Sequence, residues 1–240
     1  LQRKVKCFNK IKNLTFAGIS NWLCEEAKKS IITKKHNIIH IGNGINTEVF
    51  CPKEKLHSRD VLCLPKNKVL ILFGAMQSTS DVRKGFNVTK KLLEEINDKN
   101  VEFVVFGDNK DGLDNSNNRI HFLGHINDDN LLSTLYSACD IFINPSLQEG
   151  FGKVTIEAMA CGTPVVAFGH TGFLDTINHK TNGYLARPFN VNDFLNGINW
   201  CIENKNDSNL KKSCRNNSLK YSEKLIAKKY YNLYNKIIKK

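Results

Sequence analysis

Residues 140–168 read DIFINPSLQEGFGKVTIEAMACGTPVVAF, and this stretch decides the fold. It opens with a short apolar run, 140–144, that is typical of a strand buried on both faces. The next segment has the spacing of one helical face, with Val154, Glu157, Ala158 and Cys161 on that face. A helix stop follows at 162–164 and leads at once into a second apolar run. A strand, a helix and a strand in this order predict one unit of a parallel sheet.

Similar apolar runs continue in both directions along the chain. They occupy 69–73, 101–106, 120–123, 164–168 and 183–186, with amphipathic segments between several of them. This alternation predicts an α/β fold, a Rossmann-like doubly wound parallel sheet with helices on both faces. Such sheets bind ligands at the carboxyl ends of their strands. We therefore expect the chemistry in the turns at 74–85, 107–112, 124–128, 145–153 and 169–173.

The two ends of the chain carry further elements. Near the start, the pattern predicts a strand at Phe16–Ser20, a helix from Trp22 to about Ile32 and a strand at Ile38–Ile41. Ser20 or Asn21 is the expected N-cap of that helix. At the other end, 217–239 is predicted to be one long amphipathic helix. Its apolar stripe consists of Leu219, Ile226, Tyr230, Leu233 and Ile237.

Composition and charge exclude several classes of protein. The chain has 240 residues, 41% of them hydrophobic and 24% charged, which is ordinary globular usage. No apolar run reaches the roughly 18 residues of a transmembrane helix. The net charge of +12 lies at the ends: residues 1–36 carry +7, residues 209–240 carry +9, and the middle carries −4. An acidic middle argues against nucleic-acid binding. Two interpretations of the basic ends stay open, a solvated lysine-rich surface and a basic rim that meets an anionic ligand or an acidic membrane.

The eight cysteines indicate a reducing compartment. No two of them are within four residues, so the chain has no CxxC redox or zinc pair. Several lie inside apolar runs, as small buried side chains do. We therefore expect reduced thiols, a cytoplasmic location and no metal site. The chain begins with Leu1 and without a signal-peptide pattern, so we expect it to be part of a longer protein.

The segment 144–157 is the most informative for chemistry. The turn Glu149-Gly150-Phe151-Gly152 lies between a strand and a helix, where glycines let the backbone approach a ligand and the helix start offers free N–H groups. Glu149 and Glu157 are eight residues apart, about 12 Å along a helix. That separation suits a grip on two polyol groups and exceeds what a glycosidase carboxylate pair needs. The alternative is that Glu149 caps the helix and Glu157 is placed incidentally.

A second segment, 73–86, ends a strand at Gly74 and then brings Arg83 and Lys84 to the start of a helix. Cations are unfavourable there, so their position indicates a nearby anion such as a diphosphate. The alternative is a pair of solvated surface cations. Two other segments give weaker signals. Residues 43–50 are expected to form a turn. The loop 169–173 would either cradle a ligand or turn the chain. No Walker loop, GxGxxG or GxSxG occurs.

Together, over about residues 14–240, these segments resemble the C-terminal half of a GT-B glycosyltransferase of family 4, the glycosyl transferases group 1. The turn 43–50 resembles the family's NG(V/I)(D/N)T..F motif, and Lys84-Gly85 resembles its KG pair. The run from 138 to 164 resembles the family's EX7E donor signature. The segments 122–124 and 182–185 resemble its FLG and NG(F/Y)L strands.

The resemblance implies a nucleotide-diphospho-sugar as donor substrate, no required cofactor and a front-face retaining mechanism. It implies that Glu149 and the amides of Phe151 and Gly152 hold the sugar, that Glu157 holds the ribose, and that Lys84 neutralises the diphosphate. The expected catalytic residues are Glu149, Lys84 and Arg83. The expected substrate-binding residues are Glu157, Gly150, Phe151, Gly152, Lys153, Val154, Gly124, Ile126 and Gly74, of which 124–126 would frame the base.

The sequence departs from the family pattern at three places. Ala75 stands where the family has an arginine, which Arg83 would replace as in bacterial polysaccharide-biosynthesis enzymes, and Lys153 replaces an apolar residue and would add a phosphate contact. The N-terminal acceptor domain is missing from the sequence. We therefore expect 1–41 to be its remnant, 42–216 the donor-binding domain and 217–240 a helix that crosses back to the missing domain with its apolar face exposed.

The expected activity is transfer of a hexose to a glycan, a lipid or another acceptor. The isolated chain is expected to be inactive, because donor and acceptor meet between two domains. The alternative is a non-catalytic nucleotide-sugar-binding module or a truncated remnant. A sugar-nucleotide 2-epimerase of the same architecture is disfavoured by the EX7E spacing and the 149–152 turn. The basic ends would allow peripheral contact with the inner face of a membrane.

Overall fold

A computed structural model describes residues 1–74, 82–107 and 119–239 of the chain. Its strands are β1 (Thr15–Gly18), β2 (Asn37–His40), β3 (Val69–Gly74), β4 (Val101–Phe106), β5 (Ile120–Phe122), β6 (Ile141–Asn144), β7 (Val165–Phe168) and β8 (Gly183–Ala186). Its helices are α1 (Gln2–Asn9), α2 (Asn21–Lys29), α3 (Lys55–Val61), α4 (Phe86–Glu95), α5 (Asp129–Ala138), α6 (Lys153–Ala160), α7 (Phe173–Thr176), α8 (Val191–Glu203), α9 (Ser208–Leu219) and α10 (Glu223–Ile238), with a 3-10 turn at Val82–Lys84.

Six strands form one parallel sheet in the order β5-β4-β3-β6-β7-β8. The central strand β3 pairs with β4 from Val69↔Val101 onward and with β6 at Ile71↔Ile141. The chain therefore winds outward in both directions from β3. The predicted doubly wound parallel sheet is confirmed. The crevice between β3 and β6, where the strand order reverses, is the ligand position that this topology favours.

Apolar side chains fill both faces of the sheet. Along β3, Leu70 and Leu72 join the cluster beneath α5, α6 and α9, whereas Ile71 and Phe73 join the cluster beneath α4 and α8. All four side chains are fully or almost fully buried. Each burial contributes about 1.5–3 kcal/mol, so the two clusters hold the helices against the sheet. This packing explains why the strands appear in the sequence as continuous apolar runs.

A buried ionic cluster fixes the amino ends of β3 and β6. The Asp140 carboxylate accepts hydrogen bonds from Arg59 at 2.8 Å, from Lys55 at 2.6 Å and from the Leu70 amide at 2.8 Å. Burial alone would raise the pKa of Asp140, but Lys55, the Leu70 amide and Arg59 together hold it below its ordinary value. Asp140 therefore anchors the sheet at the end opposite the expected ligand crevice.

Residues 1–41, which we call the N-terminal unit, contain a small parallel sheet of β1 and β2 with α2 between them. The hydroxyl of Ser20 caps α2 by accepting from the Leu23 amide at 3.2 Å. The predicted strands and helix are present with shifted bounds, since β1 ends at Gly18 and α2 ends at Lys29.

The prediction of one helix over 217–239 is wrong. Helices α9 and α10 are separate, and a bridge between Ile45 and Ser222 divides them. The Ile45 amide donates to the Tyr221 carbonyl at 2.9 Å, and the Glu223 amide donates to the Ile45 carbonyl at 3.0 Å. These backbone groups would otherwise belong to a continuous helix.

The expected exposure of the whole apolar stripe is also wrong. Ile226 is only 5% exposed, because it packs on the chain at Gly42 and Gly44. Tyr230 and Leu233 are half-buried, whereas Leu219 and Ile237 are 38% and 39% exposed. The 43–50 turn therefore holds the first turns of α10, and the exposed part of the stripe lies at its two ends.

Candidate functional site

The loop between β6 and α6 is built by a left-handed glycine. Gly152 has φ +79° and directly precedes α6, and a Cβ there would stand 3.1 Å from the buried ring of Phe173. At the other end of the loop, the Asn144 side chain accepts hydrogen bonds from the amide and hydroxyl of Ser146. No side chain in the described part of the chain caps α6, so Glu149 is not its cap. The first amides of α6 are therefore available to an anion.

The 82–85 segment packs directly on this loop. The Leu147 amide donates to the Arg83 carbonyl at 2.6 Å. Gly85 has φ +70°, and a Cβ there would lie 2.0 Å from the Pro145 carbonyl oxygen. Such an approach is open to glycine alone. The segments that follow β3 and β6 are thus brought into backbone contact at the point where the strand order reverses.

This contact pairs two of the predicted catalytic residues. Lys84 Nζ lies 3.3 Å from Glu149 Oε2, with the lysine half-exposed and the glutamate mostly buried. Lys84 is therefore more than a solvated surface cation. Arg83 is exposed beside it. The second carboxylate oxygen of Glu149 accepts from the Gly150 amide at 3.1 Å, which orients the side chain.

A cleft of about 360 Å³ opens at this pair. Its lining residues among those described are Trp22, Leu23, Arg83, Lys84, Gln148, Glu149 and Gly150. Two cations and one carboxylate give it a positive balance, which suits an anionic ligand that also carries hydroxyl groups. Trp22 and Leu23 come from the N-terminal unit. Sequence reasoning did not assign them to the site, and its only signal was a bulky aromatic residue at the start of a capped helix.

The loop 169–173 supports the 149–152 turn from behind. The Thr171 hydroxyl accepts from the Glu149 amide at 3.3 Å, and the Gly172 amide donates to the Glu149 carbonyl at 2.9 Å. A Cβ on Gly172 would stand 2.4 Å from the Gly150 carbonyl oxygen. These contacts give the loop a supporting role, which neither interpretation of the sequence had included.

Glu157 lies inside α6 and is buried. Its carboxylate is 3.4 Å from Lys153 Nζ and 3.5 Å from the Tyr136 hydroxyl. Burial raises its pKa, and the nearby Lys153 ammonium partly opposes that rise. The two glutamates do not share one helix, because Glu149 precedes α6, which begins only at Lys153. Glu157 is about one turn, roughly 6 Å, from the helix start.

The remaining predicted residues lie around this centre. Phe151 is buried against the ring of Tyr221, with centroids 5.3 Å apart. Val154 packs at the edge of the core, and so does Ile126. Gly74 ends β3. Gly124 has φ +67° with open space around it, and its carbonyl accepts from the Gly107 amide at the ends of β4 and β5.

The residues of the preceding paragraph lie near the carboxyl ends of strands or on α6. None of them is among the described residues that line the 360 Å³ cleft. Ala75 and residues 108–112 of the predicted turn 107–112 lie outside the described residues.

The turn 43–50 is held in place by hydrogen bonds and by a buried ring. The Asn46 side chain accepts from the amides of Glu48 and Val49, and Phe50 is buried beside Tyr136. Arg215 holds the same turn by donating to the carbonyls of Phe50 and Thr47.

Two features are absent from the described residues. No helix there is long and apolar enough to cross a membrane. No group of three or more histidine, cysteine or acidic side chains there could hold a metal ion.

Comparison with solved structures supports the fold. The chain superposes on sucrose-phosphate synthase from Thermosynechococcus elongatus with a TM-score of 0.83 at 25% identity, covering 99% of this chain and 62% of that one. It superposes on HepE of Anabaena, solved in complex with UDP and glucose, with a TM-score of 0.76 at 22% identity, covering 98% of this chain and 66% of that one.

Sequence relatives are also glycosyltransferases. A glycosyltransferase of Methanocaldococcus jannaschii is 31% identical over 232 residues, covering 90% of this chain and 58% of the relative. The N,N'-diacetylbacillosaminyl-diphospho-undecaprenol alpha-1,3-N-acetylgalactosaminyltransferase of Campylobacter jejuni is 35% identical over 121 residues, covering 50% of this chain and 31% of the relative. The chain thus spans between about a third and three fifths of the length of these relatives.

The family profile described as "Glycosyl transferases group 1" matches residues 67–204, from the start of the central sheet to the end of α8. That range is more than half of the chain and holds the whole Lys84–Glu149 cluster. The chain therefore belongs to the glycosyl transferases group 1 family and has its GT-B type of α/β fold.

Proposed function

We propose that this chain is the donor-binding part of a retaining glycosyltransferase that moves a hexose from a nucleotide-diphospho-sugar to a glycan, lipid or other acceptor. The observation that carries the proposal is the pairing of Lys84 with Glu149 at the sheet's switch point, 3.3 Å apart, beside the uncapped start of α6. The relatives' names support sugar transfer. The complex of HepE with UDP and glucose supports a nucleotide-sugar ligand for this fold.

The chemistry asked of these residues is mainly charge stabilisation. The bond between the anomeric carbon and the diphosphate oxygen breaks, and both electrons leave with the diphosphate. Lys84, Arg83 and the first amide of α6, at Lys153, would stabilise that growing negative charge. The amides of Phe151 and Gly152, which precede α6, would hold sugar hydroxyls. The acceptor hydroxyl would bond to the anomeric carbon from the same face and pass its proton to the departing phosphate oxygen.

Glu149 would hold the sugar by accepting hydrogen bonds from its hydroxyls. The Lys84 ammonium keeps the carboxylate beside the diphosphate site, so sugar and leaving group would be gripped by one ion pair. Each hydrogen bond to such a charged group is worth about 1.5–3 kcal/mol. Gly150 and Val154 complete the backbone around this position.

Glu157 would bind the ribose hydroxyls from its place one turn into α6, and Lys153 would add a phosphate contact. The backbone at Gly124–Ile126 would frame the base, and Gly74 would leave room for the nucleotide at the end of β3. Glu157 and Lys153 follow β6, Gly124 follows β5, and Gly74 ends β3. No cofactor or metal is required in this scheme.

The acceptor would bind to a second domain, outside this chain. We propose that 1–41 is the last part of that domain, that 42–216 is the donor domain and that 217–240 crosses back between them. In this proposal the enzyme is a family 4 member that works in the cytoplasm, and its basic ends meet the inner face of a membrane. The chain alone would bind donor without turnover. A non-catalytic nucleotide-sugar-binding module is the alternative.

A thermal-shift panel tests the proposal. UDP, GDP and ADP and their hexose forms would be compared on the chain, on Lys84→Ala and on Lys91→Ala. Lys91 is an exposed lysine of α4 and gives the same change of charge away from the cleft. A ligand at a hundred times its Kd should add about 2.7 kcal/mol of stability.

We expect one nucleotide family to stabilise the chain and Lys91→Ala but not Lys84→Ala. Equal stabilisation of both variants, or none with any nucleotide, would contradict the proposal.

A further inference from the structure

The N-terminal unit contributes an aromatic wall to the cleft. Trp22 is half-buried at the start of α2 and lines the same 360 Å³ space as Lys84 and Glu149. It is the one aromatic side chain among the described residues of that lining. The other polar groups of the lining come from the donor-domain loops. Trp22 therefore faces them from a different part of the chain.

Several contacts fix α2 on the donor loops. The Asp175 carboxylate accepts from the Asn21 amide at 2.5 Å and from the Asn21 side chain at 3.0 Å. A Cβ on Gly150 would lie 3.4 Å from Leu23 Cδ1, so the next residue of α2 rests on the 149–152 turn itself. Trp22 stands between these two attachments.

Asp175, which binds the start of α2, is also connected to the 149–152 turn. Asp175 lies on α7, which begins just after the Gly172 segment that supports Glu149. Its backbone carbonyl accepts from the Tyr221 hydroxyl at 2.7 Å, and the Tyr221 ring packs on Phe151. Trp22 and Glu149 are thus positioned by one connected set of residues. The start of α2, which carries Trp22, is thereby held against the turn that carries Glu149.

We propose that Trp22 is a specificity-determining residue that packs its indole face on a sugar ring bound in the cleft beside Glu149. The inference rests on the proposed function. A hexose carries hydroxyls at its edge and C–H groups on its faces, so a carboxylate suits the edge and an aromatic plane suits a face. Phosphate groups alone would use Lys84 and leave the indole untouched. The ring would come from either the donor or the acceptor glycan.

The two tryptophans of the chain make this testable by fluorescence. Trp200 lies on α8 beside Tyr184, against the second core cluster, and the Trp200→Phe variant leaves Trp22 as the sole indole. This variant would be titrated with UDP, with UDP-glucose, and with UDP plus maltose. In parallel, calorimetry would measure binding of the same ligands to this variant. It would also measure their binding to Trp22→Phe and Trp22→Ala variants of the full chain.

We expect UDP to leave the Trp22 emission unchanged. A change with UDP-glucose would identify a donor sugar, and a change only with UDP plus maltose would identify an acceptor sugar. Trp22→Ala should weaken the sugar-containing ligand about tenfold and leave UDP affinity within twofold, while Trp22→Phe should retain most of the sugar affinity.

Two other results would overturn the inference. If calorimetry shows sugar-nucleotide binding that neither perturbs Trp22 nor weakens in Trp22→Ala, the inference fails and the proposed function stands. If calorimetry detects no binding of any of these ligands, the inference fails, and the thermal-shift panel with UDP, GDP and ADP decides the proposed function separately.

Discussion

Replacing Gly85 with alanine probes the contact on which the whole cluster depends. Gly85 is buried with φ +70°, and an added Cβ would lie 2.0 Å from the Pro145 carbonyl oxygen and 2.8 Å from its carbon. Gly124 is a matched control, since it has φ +67° and no heavy atom within 4 Å of the added Cβ. A left-handed alanine costs about 1–2 kcal/mol in either variant.

The overlap at Gly85 adds a second cost of about 1–3 kcal/mol, because the 145–152 loop must move away. Gly124→Ala should therefore lose about 1–2 kcal/mol of unfolding free energy, and Gly85→Ala about 2–5 kcal/mol. The gain from a stiffer unfolded chain is shared by both variants and cancels in the comparison. Urea unfolding with unchanged m-values would measure both losses. If the two losses agree within about 0.5 kcal/mol, the close packing of the two loops is refuted.

Three further predictions concern buried groups. Burial raises the pKa of Glu157, so its charge costs stability at neutral pH and that cost disappears as the pH falls through the raised value. Glu157→Gln should thus raise Tm at pH 7, lose that advantage in acid and bind the nucleotide sugar roughly tenfold or more weakly by calorimetry. The pKa of Asp140 is held low, so its stabilisation is present above the ordinary carboxyl pKa and is lost as the pH falls. Asp140→Asn should cost about 3–5 kcal/mol at neutral pH, and the difference in denaturant midpoints should shrink in acid. Burial raises the pKa of the Cys161 and Cys214 thiols to about 12, so iodoacetamide followed by mass spectrometry should label the exposed thiols quickly and leave the buried ones unmodified until the chain unfolds. The exposed thiols are Cys7 and Cys63, and the buried ones are Cys24, Cys139, Cys161, Cys201 and Cys214.

The central sheet could be predicted from the sequence because its strands are buried on both faces. Residues 101–106, apolar except for Glu102, and residues 183–186 are short apolar runs, and their predicted bounds match β4 and β8. The helix stop at Gly162 is also correct, since α6 ends at Ala160 and Gly162 has φ +81°. Local patterns decide such elements.

The break between α9 and α10 could not be predicted in this way. It depends on Ile45, whose backbone pairs with residues 221–223 far along the chain. The periodicity of 217–239 carries no trace of that partner, because the amphipathic stripe continues through the break.

The candidate site was predicted in part. Lys84 and Glu149 were named from their places in two turns, and the structure brings them into contact. The sequence spacing placed Glu157 on one helix with Glu149, and this is wrong because Gly152 starts the helix later. Trp22 and Asp175 were missed, since their link to the 149–152 turn is a tertiary contact between segments more than a hundred residues apart.

A structure of the chain with the nucleoside diphosphate hexose that gives the largest thermal shift tests the central claim most directly. We predict phosphate oxygens within about 3 Å of Lys84 Nζ, with sugar hydroxyls on Glu149. The larger groove of about 910 Å³ between the N-terminal unit and α10 is also basic, with Lys12, Lys35 and Lys229 in its lining. A ligand bound in that groove, with the Lys84–Glu149 pair left intact and unoccupied, would contradict the account.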